Sequence, residues 1–221
     1  MSQKTALVLG ATGMVGTELV KLISARKYYQ TINLLTRRPI NLPDQTINQQ
    51  VIDFDQLEKY ADLFQVQDVY ICLGTTIKAA KTKEAFRTVD YEYVVKAAKL
   101  AKRGNMEKLL IITAAGADPR SRVFYSRVKG EVEETLKSMG LPSLHIFRPS
   151  LLLGDRKEFR LGEAMMGKAS NFLARIMIGP LQPYRPIHAA TVAAAMFKTA
   201  QTTQQGTHVY SSKDVERLGS S

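Results

Sequence analysis

The chain has 221 residues, 45% of them hydrophobic and 23% charged, which is an ordinary composition for a globular protein. This length supports one sizeable α/β domain. No apolar run reaches the ~18 residues that a membrane-spanning helix needs, and we expect no membrane partner. A single cysteine excludes an internal disulfide framework and fits a reducing compartment. Because the first predicted strand begins directly after residue 4, we expect no signal peptide and a cytoplasmic protein.

The net charge of +11 allows two interpretations. The basic residues either form a nucleic-acid surface, or serve a phosphate-bearing cofactor and otherwise lie on solvated helix faces. The densest group has the i, i+3 spacing of one exposed helix face: Lys96, Lys99, Lys102 and Arg103. No helix-turn-helix, finger or RNP-type sequence accompanies this group. We therefore expect a small-molecule partner rather than nucleic acid, and a protein partner stays open.

A turn with three glycines separates the first predicted strand, residues 5–9, from the first predicted helix, residues 17–26. Strand, glycine turn and helix in this order form a pyrophosphate cradle. Its spacing, G-x-x-G-x-x-G, is one residue off the commonest dinucleotide fingerprint, and a purely structural turn is the alternative. The residues expected to bind the cofactor here are Gly10, Thr12, Gly13, Met14, Val15 and Gly16.

The residues after the second predicted strand, 31–36, indicate which dinucleotide binds. A carboxylate at this position would hold the ribose hydroxyls of NADH, whereas arginine accommodates the 2′-phosphate of NADPH. The sequence has Arg37 and Arg38 and no acid nearby. This favours NADP(H), with a solvent-facing basic turn as the alternative.

The next two strands add further cofactor contacts. A third strand over residues 50–54 ends in Asp53 and Phe54, where the carboxylate either accepts from the adenine amine or caps the helix predicted at 56–64. A fourth strand, 68–73, opens into Gly74, Thr75 and Thr76, whose small size leaves room for a cofactor. The residues expected to contact the cofactor here are Leu73, Gly74 and Thr75. Cys72 lies in an apolar run and is predicted to be a buried, inert thiol.

The remaining elements continue the alternation of strands and helices. We predict a long helix at 82–103, strands at 108–113 and 143–147, and helices at 126–140 and 189–200; His145 is expected to face outward. This pattern is typical of a doubly wound parallel sheet, the Rossmann fold. Residues 1–221 form a single domain in this interpretation, with 155–221 contributing a small substrate-side lobe. The lobe residues considered as pocket lining are Phe159, Arg160, Met165 and His188, and for His188 a structural role near a helix cap is favoured.

Tyr125 and Lys129 are four residues apart, which places both on one face of the helix after the fifth strand. An ammonium near a phenol lowers the phenol pKa toward working pH, which suits proton exchange with a carbonyl oxygen. Thr113, at the end of the fifth strand, would supply a hydroxyl that polarises the same carbonyl. A solvated pair on the helix surface is the alternative.

Several of these motifs resemble the extended and atypical short-chain dehydrogenases/reductases, and within them the Tat-interacting-protein-like oxidoreductase branch. The resemblance rests on residues 10–16, 72–76, 116–118, 128–133 and 147–156, and on the pair Tyr125 and Lys129. It implies a Rossmann fold, NADPH binding and a reductase Tyr-Lys pair. It also implies cofactor contacts from Arg148, Pro149, Ser150 and Leu151, with backbone groups after Pro149 at the nicotinamide carboxamide.

The sequence departs from that family where its usual Ser-Ser reads Thr113-Ala114. The main hypothesis is an NADPH-dependent oxidoreductase acting on the carbonyl or alcohol of a small organic molecule. The alternative is an NADP(H)-binding sensor or interaction protein of weak or absent activity on the same fold. We expect no metal site.

Overall fold

The computed structural model describes residues 4–41, 46–154 and 185–220. The strands are β1 (Lys4–Leu9), β2 (Tyr29–Thr36), β3 (Ile47–Val51), β4 (Asp68–Ile71), β5 (Lys108–Ile112), β6 (Ser143–Phe147), β7 (Leu152–Leu153), β8 (Ile187–His188) and β9 (Gly206–Tyr210). The α-helices are α1 (Met14–Arg26), α2 (Ile77–Ala80), α3 (Lys83–Arg87), α4 (Tyr93–Arg103), α5 (Phe124–Ser138), α6 (Ala189–Ala200) and α7 (Ser212–Ser220).

Seven parallel strands form one sheet in the order β3-β2-β1-β4-β5-β6-β9, and β7 pairs with β8 separately. A buried apolar cluster lies on each face of the large sheet. One cluster packs α1 and α6 against the strands, and the other packs α4 and α5. Helices on both faces of a parallel sheet are the Rossmann arrangement, so the predicted fold class is confirmed.

The C-terminal segment contributes to this sandwich in its described part. Strand β9 is the seventh strand of the large sheet, and α7 packs on α6. Sequence patterning missed β9, because its residues are mostly polar or exposed at the sheet edge. Residues 155–184 lie outside the described part, so a substrate-side lobe stays a prediction.

Three predicted elements differ in detail. The third strand begins at Ile47, because an edge strand can carry polar residues that break the apolar pattern. Residues 54–64 form 3₁₀-type turns interrupted at Gln56 and Tyr60, where a helix was predicted. The helix predicted at 82–103 is divided into α3, a π-helical turn over Thr88–Glu92, and α4. Among the described residues, no helix is long and apolar enough to cross a membrane.

His145 is fully buried, so the prediction of an outward-facing side chain is wrong. Strand β9 covers the edge of β6, and the His145 ring stacks on His208 with 5.2 Å between ring centroids. Its two ring nitrogens lie 2.8 Å from the Ser143 hydroxyl and 3.0 Å from the Tyr210 hydroxyl. The pKa of His145 is lowered to about 4, and burial is the largest of the causes.

This shift predicts that the protein loses stability in mild acid. As the pH falls below about 6.5, the unfolded chain takes up a proton on His145 while the folded chain does not until about pH 4, so proton uptake favours unfolding. Between pH 7 and pH 5, the unmodified protein should lose about 1–2 kcal/mol more unfolding free energy than His145→Gln. Urea unfolding at the two pH values measures this, and equal losses would contradict it.

Candidate active site

The turn between β1 and α1 is built from close backbone contacts. Gly10 has φ +84°, and a Cβ placed on it would lie 2.4 Å from the carbonyl oxygen of Cys72 at the end of β4. A Cβ on Gly16 would lie 2.1 Å from the Gly10 carbonyl oxygen. Both positions therefore need glycine for the fold itself. Burial raises the pKa of the Cys72 thiol to about 12, which agrees with its predicted inertness.

Gly13 differs from these two glycines, because its backbone suits other residues. Its φ is −77°, and a Cβ there would lie 3.3 Å from the Gly10 carbonyl oxygen and 3.8 Å from the Cys72 carbonyl oxygen. Gly13 is also the N-cap of α1 and offers no side chain to bind the first N–H groups of the helix. The first turn of α1 contains no acidic residue.

These features fit a pyrophosphate. Uncapped N–H groups and the positive end of a thirteen-residue helix favour an anion, and the absent Gly13 side chain leaves space for it. Thr12 is exposed on the turn and Met14 is half-buried, whereas Val15 is buried in the core. Val15 therefore offers only its backbone to a ligand, and the fit of the cradle rests on main-chain groups.

Arg37 and Arg38 lie directly after β2, and both are exposed. Neither forms an ion pair with any residue that the structure describes. An unpaired guanidinium is suited to a phosphate, because its planar donors match two phosphate oxygens.

The carboxylate of Asp53 caps the turns that follow it, accepting from the Asp55 N–H at 3.0 Å and from the Gln56 amide at 3.1 Å. Of the two roles considered for Asp53, the geometry supports the cap. Phe54 is buried and packs on Tyr93 with 5.5 Å between ring centroids, so its side chain belongs to the core. Adenine binding at Asp53 and Phe54 stays a prediction.

The strongest electrostatic feature of the site is a buried ion pair. The Lys129 ammonium lies 2.7 Å from Oδ1 of Asp90, with side chains 5% and 0% exposed. Asp90 Oδ2 accepts the Thr75 N–H at 2.9 Å. A Cβ on Gly74 would lie 3.5 Å from Asp90 Oδ1 and 3.7 Å from Lys129 Nζ, so Gly74 lies directly beside the pair. Burial raises the pKa of Asp90 above its ordinary value, although the positive charge of Lys129 acts to lower that pKa.

Tyr125 lies one turn before Lys129 on α5 and is half-buried. Its ring packs on the buried ring of Phe86 with 5.5 Å between centroids. The ring is therefore held by packing from α3, while its hydroxyl makes no hydrogen bond within the described part of the chain. Tyr125 is thus a phenol positioned by packing, with no hydrogen-bond partner among the described residues.

Thr113 does not fit its predicted role. Its hydroxyl is buried and donates to Oε1 of Glu133 at 2.6 Å. Because that proton is used inside the protein, it is not available to polarise a substrate carbonyl.

Arg148 is occupied by the same carboxylate. Its Nε donates to both oxygens of Glu133, at 3.0 and 3.1 Å, and a terminal nitrogen donates to Oε2. These hydrogen bonds raise the pKa of Arg148. The guanidinium therefore connects the end of β6 to α5, and the expected contact between Arg148 and the cofactor stays a prediction.

Backbone groups after Arg148 are also largely engaged. The Pro149 carbonyl accepts from the Ala115 N–H, the Ser150 N–H donates to Ser212, and the Leu151 carbonyl accepts from Ile187. The Ser150 hydroxyl donates to the Arg185 carbonyl. Hydrogen bonds from residues 149–151 therefore connect the end of β6 to the segment after residue 184. The predicted contact of these residues with the nicotinamide stays a prediction.

Sequence reasoning missed Asp90 and Glu133. Both have a recognisable signal, because each acid lies on the buried face of its helix. Asp90 is four residues from the buried Phe86 and from the buried Val94, and Glu133 is four residues from Lys129.

His188, at the start of α6, is exposed, as a residue near a cap would be. The other residues considered as pocket lining, Phe159, Arg160 and Met165, lie outside the described residues. Within the described ranges, no cluster of three metal-ligating side chains occurs.

Comparison with known proteins decides the family. Residues 29–180 match the family described as HIM1. The chain belongs to the HIM1 family. Protein HTATIP2 of Rattus norvegicus is 38% identical over 172 residues, covering 76% of this chain and 71% of the relative. Protein FMP52, mitochondrial, of Candida albicans is 29% identical over 203 residues, covering 89% and 88%. The suspected Tat-interacting-protein-like branch is thereby confirmed.

Solved structures of low sequence identity share the fold of this HIM1 member. MoeE5 in complex with UDP-glucuronic acid and NAD has a TM-score of 0.72 at 16% identity, covering 93% of this chain and 75% of MoeE5. A short-chain dehydrogenase/reductase superfamily protein of Agrobacterium tumefaciens with bound NAD has a TM-score of 0.69 at 14% identity, covering 94% and 77%. The fold is thus that of nicotinamide-dinucleotide-binding proteins.

The relatives overturn one expectation. FMP52 proteins of several fungi are named mitochondrial, which contradicts a cytoplasmic location. A low cysteine count marks a reducing compartment without saying which one, so composition does not separate the cytoplasm from the interior of an organelle.

The cradle geometry predicts different results for its glycines. Gly13→Val should fold normally and abolish dinucleotide binding, because the Val side chain occupies the pyrophosphate space while its backbone is allowed. Gly16→Ala should instead destabilise the protein, because its Cβ would overlap the Gly10 carbonyl. Calorimetric NADPH titration and thermal unfolding of both variants separate these effects. Unchanged NADPH affinity in a folded Gly13→Val protein would contradict the site.

Proposed function

We propose that this protein binds NADPH and reduces the carbonyl of a small organic molecule, or oxidises the corresponding alcohol. The observation that carries the proposal is the buried Lys129–Asp90 pair, one helical turn from the free phenol of Tyr125. A buried ammonium costs several kcal/mol unless it is paired, and such residues concentrate at functional sites. The pair lies beside Gly74 and Thr75, at the sheet edge where open α/β proteins bind their ligands.

Each side chain has a defined role in this reaction. The bound nicotinamide supplies the hydride. Tyr125 donates its phenolic proton to the substrate oxygen, and its ring is held in place by Phe86. Lys129 keeps a positive charge near the phenol, which favours the phenolate left after proton transfer. An ammonium has three N–H donors, so Lys129 retains donors for the ribose hydroxyls while it pairs with Asp90.

NADPH rather than NADH is the proposed cofactor. The support is the exposed guanidinium of Arg37 at the end of β2, which forms no ion pair with the residues that the structure describes, with Arg38 beside it. A charge-assisted pair with the 2′-phosphate contributes about 1.5–3 kcal/mol. NADH lacks that phosphate and gains none of this free energy.

A cofactor sensor without turnover is the second candidate function. It is favoured by the hydrogen bond from Thr113 to Glu133 and by alanine at position 114, which together leave the end of β5 without a free hydroxyl. A carbonyl in this site would then be polarised by Tyr125 alone, which lowers the rate without affecting cofactor binding.

Cofactor preference gives a direct test. Arg37→Ala should narrow the preference for NADPH over NADH by about ten- to a hundredfold at moderate salt. Dissociation constants for both cofactors, measured by calorimetry, provide the readout. Arg26→Ala removes an exposed arginine at the end of α1, away from the cradle, and should leave the ratio unchanged. Equal affinities for the two cofactors in the unmodified protein would contradict the proposal.

The catalytic assignment is tested with two substitutions on α5. Tyr125→Phe keeps the ring and its packing, so fold and NADPH affinity should persist while turnover falls by about 10²–10⁴-fold. Lys129→Met should reduce both turnover and cofactor affinity, because it removes the ribose donors and leaves Asp90 unpaired. NADPH oxidation is measured over a panel of aldehydes and ketones.

Tyr91→Phe is the matched control. The Tyr91 hydroxyl bonds to Thr135 on α5, so the variant loses one hydroxyl of the same kind. Its turnover should stay within about twofold. Full activity of Tyr125→Phe would disprove the Tyr-Lys mechanism. NADPH binding without oxidation of any panel member would favour the sensor.

A further inference from the structure

Three neighbouring loops at one edge of the sheet expose apolar side chains. The described residues include five large apolar side chains that are exposed, and three of them follow β4, β5 and β6: Ile77 at 41%, Val123 at 62% and Leu151 at 52%. Parallel neighbouring strands lie about 4.8 Å apart, so the loops that follow them leave the same edge side by side. We name residues 76–83, residues 119–123 and Leu151 the loop surface.

These apolar side chains are held outward by hydrogen-bonded turns. The Thr76 hydroxyl accepts the Ala79 N–H at 3.1 Å and caps the turn that begins with Ile77. The Val123 N–H donates to the Ser121 hydroxyl at 3.2 Å, and its carbonyl accepts from Arg127 in the first turn of α5. Ile77 and Val123 thus each belong to a hydrogen-bonded turn that holds the side chain outward.

The same loops are strongly basic. Residues 76–83 contain Lys78, Lys81 and Lys83 and no acidic residue. Residues 119–123 contain Arg120 and Arg122, again with no acid, and Asp118 just before them lies 3.9 Å from Arg120. Within the described chain, the three lysines and Arg122 form no ion pair. The loop surface therefore carries a net positive charge that the protein leaves uncompensated.

We propose that the loop surface docks on an anionic lipid bilayer. Cations attract acidic headgroups and apolar side chains enter the boundary between headgroups and acyl chains, and the loop surface supplies both on adjacent turns. A nucleic acid would gain from exposed aromatic side chains that stack on bases, and these loops present Ile, Val and Leu. An acidic protein partner would favour an apolar groove, whereas these side chains protrude singly from three loops.

This proposal departs from the expectation, made from the sequence, that the protein has no membrane partner. It also predicts that the opening of the candidate site faces the bilayer. Tyr125 lies two residues after Val123, and Asp90 binds the Thr75 N–H at the start of the first loop. Under the proposed function, docking would bring the phenol toward the lipid surface. Lipid binding itself requires no turnover, so the two proposals fail independently.

Vesicle binding tests the inference on the full chain. Vesicles of phosphatidylcholine with 30% phosphatidylserine are compared with phosphatidylcholine alone, by co-sedimentation at low and high salt. The mixed vesicles should bind the protein and the neutral ones should not. The triple variant Lys78→Glu/Lys81→Glu/Lys83→Glu should bind the mixed vesicles at least about a hundredfold more weakly, because each lysine contributes about a fivefold factor.

A matched triple variant controls for net charge. Lys27→Glu/Lys59→Glu/Lys99→Glu makes the same change in net charge at exposed residues outside the loop surface. Its binding to the mixed vesicles should stay within about threefold of that of the unmodified protein. Ile77→Ser/Val123→Ser keeps the charge of the loop surface and should weaken vesicle binding about tenfold, while leaving binding to a DNA duplex unchanged.

Three results would overturn the proposal. Equal binding to neutral and anionic vesicles would remove the role of charge. Equal loss in the two triple variants would show that net charge, rather than the loop surface, governs binding. Parental vesicle binding by Ile77→Ser/Val123→Ser would show that the loops bind polyanions without entering lipid.

Discussion

The buried ion pair between Lys129 and Asp90 is the constraint on which the site depends. Removing either partner would leave an uncompensated charge inside the protein, which costs about 3–5 kcal/mol. The pair therefore keeps α5 against the π-helical turn before α4. Since Asp90 also accepts the Thr75 N–H, the loop after β4 is bound to the same carboxylate. Three elements distant in sequence are thus fixed at one point, and Tyr125 extends from one of them.

A second buried charge cluster lies one turn further along α5. Glu133 binds Arg148 from the end of β6 and Thr113 from the end of β5. Together the two clusters attach α5 to the ends of three neighbouring strands, β4, β5 and β6. This accounts for the correction to Thr113, and it limits what the Arg148 guanidinium offers to a ligand. Thr113 and Arg148 carry the polar groups that a reductase site would use, but both groups hold the helix that bears the phenol and the ammonium.

The fold could be predicted from sequence because its signals are local. Apolar runs mark the central strands, and the Gly10–Gly16 turn marks the first strand-to-helix crossing. The site was predicted less completely, since its charged partners are distant: Asp90 is 39 residues before Lys129, and no pattern within one helix identifies it as the partner. Edge elements were least predictable. β9 is recognisable only through its pairing with β6, and that same pairing buries His145.

Buried and exposed charges are placed differently in this protein. At the site, the buried Lys129 and Asp90 pair with each other and the buried Glu133 pairs with the partly exposed Arg148, whereas the buried Asp68 and Lys108 are held by hydrogen bonds to Tyr29 and to the Ala200 carbonyl. Among the described residues, Arg37, Arg38, Lys78 and Lys81 form no ion pair, and they follow β2 and β4 at the carboxyl edge of the sheet. That edge also carries the uncapped N-terminus of α1. The helix dipole, the arginines after β2 and the loop lysines all contribute positive potential to the same edge, where the proposed dinucleotide would be held by its phosphates and the proposed acidic surface would be attracted. A net charge of +11 is thus compatible with a small-molecule site, because its uneven placement, rather than its size, determines what it attracts.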